Sequence, residues 1–291
     1  MDGLDLNQFF DMFPLGDWVS NGAEWVVNWL VQNATPIFDA IQMPIAWLLA
    51  FLDNGLNAIP WPLIMLAFLI IGWLNSGWRI GVMAAISITI TGFLGYWELT
   101  MTTLAMVLTA LLFSIVIGVP LGIWASRSDQ VDSTTRVVLD GMQTIHPFVY
   151  LVPIVMLLGI GQVPGTIATI IFALPPIVRL TNLGIRQVST EVVEAGRAFG
   201  SNDRQLLFDV QIPLALPTIM AGLNQTLMLS LSMVVIVALI AGGGLGSEIL
   251  RSVGRLDIGR AMNAGLSVLI LAIVLDRISQ GKATQQRDQA D

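Results

Sequence analysis

The 291-residue chain has no cysteine, one histidine (His146) and one lysine (Lys282). Without cysteine there is no disulfide framework, no thiolate metal site and no cysteine nucleophile. One histidine leaves too little material for a histidine-rich metal centre or a serine–histidine pair, so neither catalytic residues nor metal ligands are expected. The lone lysine stands in Gly281-Lys282-Ala283-Thr284, without the upstream glycine of a phosphate-binding loop. The chain is therefore not expected to hydrolyse ATP. Charge is also scarce: 11% of residues are charged, against about 25% in an average soluble domain. Basic residues are missing altogether from residues 1–60, which hold seven acids: Asp2, Asp5, Asp11, Asp17, Glu24, Asp39 and Asp53. A secretory leader needs a positive n-region, so none is expected.

What is abundant is apolar. Hydrophobic residues make up 55% of the chain and mean hydropathy is +0.78. They fall in long blocks, several of them near the roughly 20 residues that cross a hydrocarbon core. The pattern predicts an all-α integral membrane protein with about seven spans, near 61–76, 80–97, 99–125, 138–160, 164–185, 212–241 and 261–278. The first two are short and joined by a tight turn, which fits either a hairpin or a partly interfacial pair. With the N-terminus outside, ten of the thirteen basic residues lie inside and only Arg251, Arg255 and Arg260 lie outside. The positive-inside rule thus puts the C-terminus in the cytoplasm.

Residues 1–60 read as an extracytoplasmic or interfacial region rather than a span. Trp18, Trp25 and Trp29 recur at intervals of seven and four, and Ile37, Ile41, Ile45, Leu48 and Leu52 form a second stripe after Pro36. Two readings fit these amphipathic helices: they lie in the headgroup layer, or they pack on the bundle. Residues 61–278 form the membrane domain and 279–291 a loose cytoplasmic tail.

The polar stretch 187–209 interrupts the apolar second half. Thr190 is a candidate helix N-cap, with Glu191 and Glu194 in the first turns, where the helix dipole favours acids. Gly200 and the Ser-Asn-Asp that follows read as a helix stop and turn. Arg204–Asp209 begins a second short helix, and Pro213 suits the start of the next span. Taken alone, this is an ordinary surface loop.

Its residues nevertheless resemble the cytoplasmic EAA motif of ABC importer permeases. That motif reads Glu-Ala-Ala, three residues, Gly, nine residues, Ile-x-Leu-Pro; here Glu194-Ala195-Gly196, Gly200 and Val210-x-Ile212-Pro213 keep every spacing. The likeness extends through segments 148–165, 172–188, 212–236 and 242–246, which are similar to permeases for glycine betaine, proline betaine and choline. The resemblance implies a type I ABC importer-like bundle in a bacterial-type inner membrane. In it Glu194, Ala195, Gly196, Gly200 and Pro213 would couple to a separate ATPase subunit. ATP and magnesium would be held by that partner and no cofactor by this chain. An external substrate-binding protein, a second permease copy and membrane lipid would complete the assembly, with no nucleic-acid partner. Asn224, Gln225, Met228 and Ser232 share one region of the sixth expected span, and either line the translocation path or bond between helices. His146 reads as a helix-end residue and the 242–246 glycine run as an outer turn. The alternatives are a secondary transporter driven by an ion gradient, or an ABC permease for another small organic solute, choline in particular.

Overall fold

The computed structural model describes residues 15–287; Asp2, Asp5, Asp11 and residues 288–291 lie outside them. In chain order the helices are α1 (Leu15–Asn33), α2 (Thr35–Ala58), α3 (Trp61–Ser76), α4 (Trp78–Phe93), α5 (Trp97–Arg127) and α6 (Asp129–Thr144). There follow α7 (Pro147–Leu158), α8 (Gln162–Arg186), α9 (Thr190–Ala198), α10 (Ile212–Val237), α11 (Gly244–Gly254) and α12 (Ile258–Arg287). The described residues contain no strand.

Several expected spans are redrawn. Five helices are long and apolar enough to cross a membrane: α2, α5, α8, the continuous Asp203–Ile240 helix that contains α10, and α12. A sixth is reached if α6 and α7 count as one span broken by 96°. The break falls at Ile145 and His146, ahead of Pro147; the residue before a proline is pushed out of the helical region, and His146 sits extended at φ −60°, ψ 138°. It is the helix-end residue expected, capping α7. α3 and α4 have 16 residues each, or about 24 Å at 1.5 Å per residue, and form a hairpin through Gly77 at φ +92°. Conversely α2, which its stripe assigned to the interface, is long and apolar enough to be a span. The tail expected from residue 279 is helical as far as Arg287, because α12 runs through it.

α1 buries none of its residues. Trp18, Trp25 and Trp29 are 61%, 68% and 52% exposed, so the tryptophan stripe is not packed into the bundle.

The centre is α8, flanked by α5 and α10. Lipid tails are as apolar as leucine, so helices in a membrane associate mainly by close van der Waals packing, which small residues permit. Gly118 and Gly122 of α5 face α8: a Cβ on Gly118 would lie 2.4 Å from Ile177 Cγ2, and one on Gly122 2.6 Å from Thr181 Cβ. On an adjoining face of α8, a Cβ on Gly222 of α10 would come 3.0 Å from Leu180 Cβ, and one on Gly184 3.0 Å from Thr218 Cβ. Ile177 and Val178 are fully buried in this seam. Gly122→Leu should destabilise the protein by about 3 kcal/mol or more, at the upper end of overpacking costs. Thermal unfolding followed by tryptophan fluorescence in detergent should show the loss, while Gly55→Ala, with open space around it, should unfold at the wild-type temperature.

Candidate functional site: the segment between α8 and α10

The segment after α8 is built from two interlocking end motifs. α9 starts at Thr190 with Ser189, not Thr190, as its N-cap, and neither side chain closes the cap. Its C-terminus is a Schellman turn: the Gly200 amide donates to Arg197 O at 2.9 Å and the Ser201 amide to Gly196 O at 3.1 Å. That pattern needs a left-handed residue, and Gly200 supplies it at φ +86°. Two residues later a capping box opens the next helix. The Gln205 amide donates to Asn202 Oδ1, and the Asn202 amide to Gln205 Oε1, each at 2.9 Å. The turn between the two helices is thus closed by its own backbone.

The following helix is not the separate short piece expected. Asp203–Gln205 continues through a π-helical turn, Leu206–Gln211, into α10. Pro213 has no amide hydrogen and so cannot continue the usual ladder; the Ile212 amide bonds to Leu207 O, five residues back. Leu206 and Leu207 are buried at 3% and 5% exposure and anchor this turn. Gly196 allows α9 to lie against it, since a Cβ there would meet Leu206 Cδ1 at 2.8 Å.

What the segment shows to solvent is mostly unpartnered. No residue of α9 is buried; Glu194 and Ala195 are exposed and Gly196 is half-exposed. Phe199 is 91% exposed and Val192 is exposed beside it. Phe199 is a site residue that the motif spacing does not single out; the structure leaves it uncovered at the helix end.

Polar braces hold the base of the segment. Arg127, at the end of α5, donates to Asp203 O at 3.0 Å. Arg186, at the end of α8, joins three elements: it pairs with Asp129 at 2.7 Å and donates to Ala125 O and Asn182 Oδ1, each at 2.9 Å. Asp132 accepts from Asn182 at 2.7 Å and pairs with Arg136 at 2.9 Å. Arg179 pairs with Asp140 of α6 and donates to Gln143. These contacts fix α6 against the end of α8, from which the segment departs.

The four candidate path residues divide. Asn224 bonds between helices: it donates to Asp276 Oδ1 at 3.2 Å and accepts from Ser279 Oγ at 2.5 Å, both on α12. Gln225 and Ser232 lie on an exposed face of α10, with the Ser232 hydroxyl donating to Met228 O at 3.0 Å. Met228 is half-buried against the cluster of Leu104, Leu227 and Leu271. An apolar cavity of about 530 Å3 between α3, α5, α10 and α12 is lined by Leu223 and Leu227 of α10 and by none of the four. At the far end, the Leu245 amide donates to Thr103 Oγ1 at 2.8 Å, which seats the start of α11 on α5.

An all-helical membrane bundle with a closely packed three-helix centre, and a polar helix–turn projecting between two of the three, is the architecture of an importer permease. The chain belongs to the family described as the binding-protein-dependent transport system inner membrane component, whose model matches residues 118–280. It is 51% identical over 280 residues to the glycine betaine/proline betaine transport system permease protein ProW of Escherichia coli, covering 96% of this chain and 78% of that protein. It is 42% identical over 278 residues to the glycine betaine transport system permease protein OpuAB of Bacillus subtilis, covering 96% and 97%. Over 272 residues it is 42% identical to the glycine betaine/carnitine transport permease protein GbuB of Listeria monocytogenes, covering 92% and 94%. Among solved structures, a chain of the inward-facing MetNI methionine ABC transporter matches the fold. Its TM-score is 0.54 at 23% identity, over 65% of this chain and 93% of that one. The protein is thus a multi-pass inner-membrane permease of an ATP-driven importer, and its family works with ATPase and substrate-binding partners.

Gly200→Trp tests the turn itself. Space is open around the position, so the cost comes from holding a side chain at positive φ, about 1–2 kcal/mol. Amide hydrogen exchange at positions 200 and 201 should speed up, while the global unfolding temperature falls by only a few degrees.

Proposed function

We propose that this chain carries glycine betaine and related quaternary ammonium compounds across the membrane, driven by ATP hydrolysis on a separate subunit. The substrate class follows the functions of the relatives. The mechanism is supported by one observation: an exposed, self-closed helix–turn bridging the two most tightly packed helices of the bundle.

In this reading α9 docks into a groove of the ATPase. Glu194 offers charge and hydrogen bonds, Ala195 and Gly196 permit close backbone approach, and Phe199 fills an apolar pocket of the partner. Gly200 and Pro213 set the direction in which the chain returns to the membrane. Movement of α9 is passed to α5 through the Arg127–Asp203 contact and to α10 through the π turn. Nucleotide shifts the permease between inward- and outward-open states only if the ATPase binds the two states differently.

The transporter contains two copies of this chain about a twofold axis, with the exposed Gln225–Ser232 face of α10 turned to the path and Asn224 acting as a strut to α12. The N-terminus is outside and the C-terminus cytoplasmic, in keeping with the bias of basic residues. α1 lies in the outer headgroup layer, where exposed tryptophans are at home. Its lack of lysine and arginine suits neutral rather than anionic lipid.

In vesicles containing the chain, its ATPase and its binding protein, uptake of labelled glycine betaine should require ATP. Gly200→Trp should lower uptake at least tenfold while the subunits still co-purify. Uptake driven by an imposed ion gradient without ATP would refute the proposal.

A further inference from the structure

At the end of the bundle remote from the coupling turn, four helix ends enclose a cavity of about 490 Å3. The remoteness follows from α5: Trp97 opens it and Arg127, bonded to the coupling turn, closes it, a separation of about 45 Å at 1.5 Å per residue. The end of α2 contributes Asn57, the start of α3 Trp61, the end of α4 Thr89 and Phe93, and the start of α5 Trp97. Such a volume is within the usual range for small-molecule sites.

Its walls have one chemical character. Three aromatic rings line it and no lysine or arginine does. Trp97 is held in place: its ring lies against Gly92, where a Cβ would stand 3.3 Å from Cε3, and its other side packs on the central cluster. Trp61 and Phe93, at 57% and 89% exposure, form the open rim. Behind Asn57, one turn back on α2, stands Asp53. Its Oδ1 accepts from Asn57 Nδ2 at 2.9 Å and from Thr102 Oγ1 of α5 at 2.8 Å. Among the described residues this half-buried carboxylate has no ion-pair partner.

Aromatic faces carry negative potential and attract cations, and the unpaired carboxylate has the same sign. A primary ammonium needs several acceptors to replace its water, yet Asn57 and Thr89 are the main polar side chains here, and the Thr89 hydroxyl already donates to Ala85 O at 2.8 Å. A trimethylammonium group asks for no acceptors and presents methyls that fit ring faces and the apolar Ile59 and Pro60. From this we infer that the pocket binds a quaternary ammonium head, as a staging site on the outer side of the bundle. The head group can come from a free compound or from a choline lipid. Its role in transport rests on the importer reading above; its binding chemistry does not.

The full chain in nanodiscs of phosphatidylglycerol separates these terms. Labelled choline and tetramethylammonium should bind, and the neutral isostere of choline, with tert-butyl in place of trimethylammonium, should not compete. Trp61→Leu and Trp97→Leu should each weaken choline binding roughly tenfold, and Phe93→Leu and Asp53→Asn should each weaken it several-fold. Because Trp61 and Phe93 are exposed, their variants report on the site even if Trp97→Leu misfolds. In a second arm, nanodiscs containing phosphatidylcholine are analysed by mass spectrometry of retained lipid. Selective retention that Trp61→Leu abolishes, without binding of free choline, identifies the head group's source as lipid. Equal competition by the neutral isostere, or no effect of the rim variants in either arm, overturns the site. ATP-driven uptake with no such binding overturns the pocket and leaves the importer reading intact; binding with no ATP-driven uptake does the reverse.

Discussion

Backbone contact along α8 is the constraint on which the rest depends. A bundle in lipid gains little from hiding leucine from its surroundings, so its order must come from atoms that meet closely. Gly118 and Gly122 bring α5 against Ile177 and Thr181, while Gly184 and Gly222 bring α10 against an adjoining face. The three helices pack as one unit around the buried Ile177 and Val178. The helix–turn between α8 and α10 is attached to that body at both ends.

Function follows from where stiffness is placed. The Schellman turn at Gly200 and the capping box at Asn202 satisfy the backbone locally, so the segment holds its shape without help from a partner. Its base is braced by Arg127 and Arg186, which link α5, α6 and α8. The Arg186–Asp129 pair is substantially exposed and adds little stability; the value of these contacts is in orientation. In the proposed mechanism a push on α9 arrives at the bundle as a displacement of whole helices. The opposite end is differently made, with aromatic rings and a carboxylate enclosing an open pocket between helix ends.

Much of this was legible in the residues. Apolar runs located α5, α8, α10 and α12, since a helix that must face lipid reads as a long block. The spacing from Glu194 through Gly200 to Pro213 marked the polar helix, the turn and the return. Features that depend on a shift in hydrogen-bond ladder were not legible: the π turn at Leu206–Gln211 has no hydrophobic period of its own. The break between α6 and α7 was present in Pro147 but was overruled by the apolar run from 147 onwards, which drew 138–160 into one expected span. The regular stripe of α2 drew attention from a length and apolarity sufficient to span. Asn224 was grouped with Gln225 by adjacency, although one residue's step on a helix turns it by 100° and sends it to α12. The pocket of Trp61, Phe93 and Trp97 was invisible because it exists only where four separate helix ends meet.

The central claim is that the uncovered surface of α9 is where the ATPase sits. The absence of cysteine makes this directly measurable, because each introduced thiol is unique in the chain. Phe199→Cys in the assembled transporter, treated with a short bifunctional thiol–amine reagent, should cross-link to the ATPase subunit, while Val253→Cys on α11 should not. Cross-linking from Val253 and none from Phe199, in complexes that still bind ATP, would contradict the account.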